Sequence, residues 1–219
     1  MLEADSKLII FAKAPVPGKV KTRLQPTISP DDAAKLQAFF IQQTLELVSS
    51  LKGVDVELRC TPDDSHPVFQ QSARDFKITL KQQQGKDLGE RMANALQEAL
   101  SKYQQVIAIG TDCPELTTDY LNEAFSRLRQ GTKAVIGPAN DGGYVLLGLR
   151  RYSPLLFSDI NWGSNQVFSE TCERLHQLVW DWHELDTLRD IDTPADLFDF
   201  PEIVSQAGLA FNKQDVQNS

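Results

Sequence analysis

Apolar positions along this chain follow two spacings that alternate from end to end. Leu8-Ile9-Ile10-Phe11-Ala12 is an apolar run of strand length. After a proline-rich loop, Leu36, Phe39, Phe40, Leu47 and Leu51 follow helical spacing. Ser29-Pro30-Asp31-Asp32 marks that helix's start as a capping box with proline in the first turn, and Gly53 marks its end. Val54, Val56, Leu58 and Cys60 alternate as in a strand, residues 68–76 fit neither spacing, and Ile78 and Leu80 suggest a further strand. Leu88, Met92, Leu96, Ala99 and Tyr103 mark a helix. Val106-Ile107-Ala108-Ile109 is the continuous run expected of a strand covered on both faces. A helix over 118–128, strands over 134–137 and 144–149, a helix over 164–178 and a strand over 179–185 follow. A second capping box, Thr193-Pro194-Ala195-Asp196, opens the last helix. This alternation predicts an α/β fold of three layers, α/β/α, around a mainly parallel mixed sheet. With no Ser/Gly linker, repeat or low-complexity block, residues 1–212 read as one domain and 213–219 as a polar tail.

Composition narrows the function. The 219 residues suit one α/β domain, and 41% hydrophobic with 24% charged residues is ordinary for a globular chain. A net charge of -8 argues against general nucleic-acid binding, which needs a basic stripe. The polar, acidic residues 1–7 and the short apolar run after them do not make a signal sequence, and no segment reaches membrane-spanning length. Cys60, Cys113 and Cys172 are too few and too widely spaced for a disulfide framework or a zinc site, so a reduced, cytoplasmic setting is expected.

Against that acidic background the loop after the first strand stands out. It is stiffened by Pro15 and Pro17, released by Gly18, and carries Lys13, Lys19, Lys21 and Arg23. Cations crowded beyond a strand's carboxyl end suit a polyphosphate, in the position where open α/β sheets usually bind ligands. A solvated turn is the competing reading. The loop is not a P-loop: Lys13 stands where that motif needs glycine and Val20 where it needs Ser or Thr, and no GxGxxG occurs. Asp112, in Gly110-Thr111-Asp112-Cys113-Pro114, follows the buried strand and belongs to the same rim, where a carboxylate can hold Mg²⁺ against phosphate oxygens or simply form a turn. Cys113 reads as buried filler rather than a nucleophile. Asp190 and Asp192 lie on one side of an extended chain and are candidates to complete a metal site with Asp112.

Three further segments carry two readings each. The glycines of Asn140-Asp141-Gly142-Gly143-Tyr144 permit close approach to a ligand or build a hairpin turn. Asn161-Trp162-Gly163-Ser164 offers N–H groups and a hydroxyl to an anion, or Ser164 caps the helix that follows. In Gln82-Gln83-Gln84-Gly85-Lys86-Asp87-Leu88-Gly89-Glu90-Arg91-Met92 the amides and Asp87 read the edge of a base, or acids favour a helix start.

Taken together, FAKAPVPGKVKTRL, QGKDLGERM, GTDCPEL, GPANDGGYVLLGL, INWGSNQV and RDIDTPADL resemble a bacterial family of the nucleotide-diphospho-sugar transferase superfamily, which has the GT-A fold. Some of its members are labelled glycosyltransferases of arsenosugar biosynthesis. The basic loop and the DIDTPADL end are also similar to phospholactate guanylyltransferases and, more distantly, molybdenum-cofactor guanylyltransferases. The resemblance implies that Lys13, Lys21 and Arg23, with Lys19 and Thr22 in the same loop, hold nucleotide phosphates, and that Asp87, Gly89 and Arg91 lie near the base. It implies Mg²⁺ or Mn²⁺ on Asp112 and Asp192, with Asp190 as a further ligand. Residues Asn140 to Tyr144, with Trp162, Gly163 and Ser164, would line an acceptor pocket. The departure is at the first loop, where prolines and lysines replace the usual glycines and shift phosphate binding to side chains. The leading expectation is Mg²⁺-dependent nucleotidyl transfer from a nucleoside triphosphate to a small phosphorylated acceptor, with Lys13, Lys21, Arg23 and Asp112 as catalytic groups. Glycosyl transfer from a sugar nucleotide is the alternative, and a nucleotide-binding module without turnover the second alternative.

Overall fold

A computed structural model describes residues 5–25 and 27–209; the predicted tail lies outside them. The described residues form a seven-stranded sheet in the order β3-β2-β1-β4-β6-β5-β7. Its strands are β1 (Ser6–Lys13), β2 (Val54–Thr61), β3 (Thr79–Gln82), β4 (Gln105–Ile109), β5 (Ala134–Pro138), β6 (Tyr144–Leu149) and β7 (Trp182–Glu184). All neighbours pair in parallel except β6, which runs antiparallel to both β4 and β5. The helices are α1 (Pro30–Val48), α2 (Pro67–Phe76), α3 (Leu88–Leu100), α4 (Thr118–Arg129), α5 (Val167–Gln177), α6 (Pro194–Asp199) and α7 (Pro201–Gln206).

The alternation within β1 divides the core. Leu8 and Ile10 face a layer made by α1, α2 and α4, among Ile41, Leu45, Phe69, Leu121 and Phe125. Ile9 faces the other way, onto Met92 and Leu96 of α3 and Leu175 of α5. A third cluster sits at one end of the sheet, where Leu24, Ile28, Leu36 and Phe40 pack on Ile191, Leu197 and Phe200. It joins the basic loop to the segment before α6, bringing together residues almost the whole chain apart.

Local chemistry accounts for the element starts. Ser29 Oγ accepts from the Asp32 N–H at 3.1 Å and donates to the Asp32 carboxylate at 2.8 Å. Asp196 Oδ2 accepts from the N–H groups of Asp192 and Thr193 and from the Thr193 hydroxyl, within 3.0 Å, so the second capping box forms as read. Residues 68–76, which fit neither spacing, are the helix α2, entered through Pro67 and the His66 side chain. The strand expected over 179–185 shrinks to β7 because Val179 is held in a left-handed turn, φ 53°, and is 85% exposed. The helix expected from 164 starts at Val167, since Gly163 has φ 85°. The last helix is two short ones, broken at Phe200-Pro201.

This topology gathers the loops. Strands β1, β4, β5 and β7 point the same way, so residues 14–24, 110–116, 139–143 and 185–192 all emerge at one rim. The chain order reverses between β1 and β4, which is the switch point where α/β sheets open a crevice.

Candidate active site

At that rim Asp112 and the 190–192 segment are tied together through the main chain. The Ile191 N–H donates to the Asp112 carbonyl at 2.9 Å. Lys21 closes the same join from the basic loop, its Nζ 2.5 Å from the Ile191 carbonyl and 2.9 Å from Asp112 Oδ2. Its ammonium also sits 5.5 Å from the centre of the Phe40 ring. The Lys21 side chain is 2% exposed, whereas that of Asp112 is 42% exposed. Lys21 itself adopts a left-handed conformation, φ 47°, which turns the loop back onto the protein. This lysine, read from the sequence as a phosphate ligand, is an internal counter-ion to Asp112.

The remaining loop cations face outward. Lys13, Lys19 and Thr22 are exposed, and neither lysine has an ion-pair partner among the described residues. Arg23 Nη1 lies 2.5 Å from Asp192 Oδ2, with the Arg23 side chain largely in solvent and that of Asp192 partly so.

Asp112 has a second support that sequence reasoning did not find. Buried Gln37 donates to the Thr111 hydroxyl at 3.2 Å, and that hydroxyl donates to Asp112 Oδ1 at 3.1 Å. A further clamp joins the two acidic loops: Arg189 gives its backbone N–H, Nε and Nη2 to the Glu115 carboxylate, at 2.8, 2.9 and 2.6 Å. Arg189 also stacks over Phe200 at 4.6 Å. The available sequence signal was an unassigned opposite charge in each motif, Glu115 in GTDCPEL and Arg189 in RDIDTPADL.

A cavity of about 420 Å³ opens beside these carboxylates. Asp190 and Asp192 line it together, along with Asp141, Gly143, Tyr144, Trp162, Gly163 and Ser164 of the predicted acceptor segments. The Ala139–Leu188 bridge, with the Asn140 N–H donating to the Leu188 carbonyl at 3.2 Å, sets loop 139–143 alongside the 188–192 strip. The two glycines divide their labour. Gly142, at φ 88°, makes the turn, and a Cβ there would stand 2.1 Å from the Asn165 carbonyl oxygen. Gly143 faces the cavity, its N–H held by Asp141 Oδ1 at 2.7 Å. Ser164 Oγ accepts from the Gln166 N–H at 3.1 Å and so shapes the approach to α5.

In the segment expected at a base, several side chains have partners within the protein. Asp87 caps α3, accepting from the Glu90 N–H at 2.8 Å, and Arg91 Nε donates to the Gly85 carbonyl at 3.1 Å. The Gln83 amide is engaged by the Ala12 and Arg59 carbonyls and the Gln82 amide by the Pro62 carbonyl. These residues shape the loop, and Leu88 and Met92, read from the sequence as helix positions, line the cavity. Gly89 is buried because it supports Trp162: a Cβ there would come 2.0 Å from the indole Nε1. Trp162 is in turn stacked on Phe157, with centroids 6.5 Å apart. Gly89→Ala therefore pushes the indole off Phe157 and into the cavity. The clash is expected to cost about 1–3 kcal/mol, outweighing the roughly 1 kcal/mol that Ala gains over Gly in a helix. A lower melting temperature together with a shifted tryptophan emission is the expected readout.

The donor set suits a hard divalent cation. Asp190 is pushed up to about 6 by burial and then by the charge of Asp141, with Asp112 adding to it and Lys21 opposing. Carboxylates crowded in this way are relieved by a cation among them. Among the described residues no three acidic, His or Cys side chains form a ready metal cage. Burial pushes the Cys113 thiol up to about 12, which disfavours the thiolate.

Residues 44–164 match the family described as uncharacterized protein conserved in bacteria (DUF2064). The sequence matches none of the curated proteins. Among solved structures, a Desulfovibrio desulfuricans G20 protein provisionally named a nucleotide-diphospho-sugar transferase is 30% identical, with 93% of this chain and 98% of that one covered and a TM-score of 0.80. A CMP:2-keto-3-deoxy-manno-octonic acid synthetase complexed with CTP, 14% identical, superposes over 92% of this chain and 98% of its own with a TM-score of 0.59. A glucosyl-3-phosphoglycerate synthase from Mycobacterium tuberculosis in complex with Mn²⁺, UDP and glucosyl-3-phosphoglycerate, 10% identical, gives 0.51 over 94% of this chain and 80% of its own. The last two establish the shared fold. No helix among the described residues is long and apolar enough to cross a membrane. The chain thus belongs to the DUF2064 family of bacterial proteins and has the GT-A fold of the nucleotide-diphospho-sugar transferases.

Proposed function

We propose that the protein is a divalent-metal-dependent transferase that holds a nucleotide's phosphates at the carboxyl rim of its sheet and passes a group to a small acceptor in the adjoining cavity. The observation that carries this reading is the join of Asp112 to the 190–192 strip, with Lys13, Lys19 and Arg23 exposed on the loop beside it. Mg²⁺ or Mn²⁺, when bound, would offset charge on the phosphates and on the leaving group. Asp112, Asp190 and Asp192 are the candidates to hold it. Lys21 and Thr111 fix the orientation of Asp112, and Lys13 and Lys19 supply charge to the phosphates from the open side.

Glycosyl transfer from a sugar nucleotide fits this geometry better than the triphosphate reaction. The case for a triphosphate rests on four loop cations, and one of the four, Lys21, is buried and engaged with Asp112 and Ile191. Nucleotidyl transfer is the second reading, favoured by the three cations that remain exposed on the loop. Melting temperatures measured with sugar nucleotides and with nucleoside triphosphates, each with and without Mg²⁺ or Mn²⁺, separate the two. Saturation at about a hundred times Kd adds roughly 2.7 kcal/mol of stability, which is several degrees for a domain of this size. A metal-dependent shift with sugar nucleotides is the expected result. A shift with triphosphates alone moves the assignment to nucleotidyl transfer, and no shift with any nucleotide ends the transferase reading. A shift with no consumption of donor in the presence of any acceptor leaves a binding module.

A further inference from the structure

The cavity has a charge that constrains what can enter it. Much of its wall is apolar, made by Phe11, Leu88, Met92, Tyr144, Val145 and Trp162. The charged side chains facing it are Asp141, Asp190, Asp192 and Arg23. Three of the four are carboxylates, and the one cation is already 2.5 Å from Asp192. Lys13, Lys19 and Lys21 do not line the cavity. Lys21 offsets Asp112 and Arg23 offsets Asp192, so Asp141 and Asp190 are the cavity carboxylates with no ion-pair partner among the described residues. A divalent ion held by Asp112 and Asp190 would leave Asp141, itself exposed, as the carboxylate with no protein cation against it among the described residues. One of its oxygens holds the Gly143 N–H; the other has no hydrogen-bond partner among the described residues. The donor's own phosphates, gathered at the rim, add to the negative field on that side.

We propose that the cavity accepts a molecule without negative charge: a neutral or cationic hydroxyl compound with an apolar body, oriented by the free oxygen of Asp141. This rests on the transferase reading above and departs from the phosphorylated acceptor expected from the sequence. A phosphate seated here would meet Asp141 with no unpaired cation in the cavity lining to offset it. An apolar body gains from the aliphatic and aromatic wall, and a hydroxyl or ammonium group gains from Asp141.

Three probes that share one apolar body test the class: benzyl alcohol, benzylamine and phenyl phosphate. The chain has only two methionines, Met1 and Met92. Labelling the methionine methyl with ¹³C therefore gives a resonance in the cavity wall itself. Titrations of the wild-type protein at neutral pH should move the Met92 resonance with benzyl alcohol and benzylamine, and phenyl phosphate should bind roughly tenfold more weakly, as one screened charge contact implies. Asp141→Asn keeps an oxygen for the Gly143 N–H while removing the charge, so it should lower benzylamine affinity several-fold, leave benzyl alcohol nearly unchanged and narrow the gap to phenyl phosphate. Phenyl phosphate binding as tightly as benzyl alcohol, a gap that Asp141→Asn does not change, or no response to any probe overturns the proposal. The nucleotide melting experiment fails or succeeds independently, so loss of the acceptor class and loss of the transferase reading are told apart.

Discussion

Asp112→Asn should remove metal-dependent nucleotide binding and lower activity roughly 100-fold or more, the scale of losing a metal's charge stabilisation. It should also destabilise the protein, because the carboxylate is more than a metal ligand. The Lys21 ammonium, 2% exposed, would keep the Ile191 carbonyl and the Phe40 ring but lose its only anion partner among the described residues. Leaving a buried charged donor short of its partner costs about 1–3 kcal/mol, lessened here because Asp112 is itself 42% exposed. Calorimetric melting and metal titration of the same variant read both effects. The double variant Asp112→Asn/Lys21→Met separates them, since removing the ammonium restores stability but not metal binding. Asp192→Asn is the contrast: its pair with Arg23 is exposed and worth about 1 kcal/mol or less. An Asp112→Asn protein that still shows a metal-dependent nucleotide shift would remove this carboxylate from the site.

The fold was legible where a single layer of chemistry decides an element. β1 and β4 are apolar runs because both of their faces are covered, and α1 and α6 begin where a hydroxyl and a carboxylate cap them. The rim position of Asp112 followed from its place directly after a buried strand. Elements fixed by distant partners were not legible. Residues 68–76 became a helix through Pro67, the His66 cap and the burial of Phe69, while Val179 left its strand for a left-handed turn. Of the two glycines, Gly142 makes the turn and Gly143 lines the cavity, a division that the pair does not reveal in sequence. The larger surprise was the basic loop. Four cations in eleven residues look alike in sequence, yet one of them is internal. What distinguishes Lys21 is the Phe40 ring, the Ile191 carbonyl and the Asp112 carboxylate, contributed by three separate segments. The same holds for Glu115 and Arg189, which are 74 positions apart and meet only in the folded chain.

That difference within one loop gives two neighbouring substitutions opposite consequences. Lys21→Ala should cost about 1–3 kcal/mol, because it strips the buried Ile191 carbonyl of a charged donor and leaves a void beside Phe40. It should also free Asp112 and the 190–192 strip to move apart, so the metal concentration needed for nucleotide binding rises. Arg23→Ala should barely move the melting temperature, since its ion pair is exposed. If Arg23 exchanges Asp192 for a phosphate oxygen in the complex, the same substitution weakens nucleotide binding by about 1.5–3 kcal/mol, the worth of a hydrogen bond to a charged group. Melting curves and metal titrations at fixed nucleotide, run on the two variants side by side, distinguish an internal clasp from a phosphate ligand. Lys21→Ala with wild-type stability and an unmoved metal midpoint, but with nucleotide affinity lost in the absence of metal, would return Lys21 to the phosphates. Loss of stability together with a raised metal midpoint would identify it as the residue that holds the two acidic loops in register.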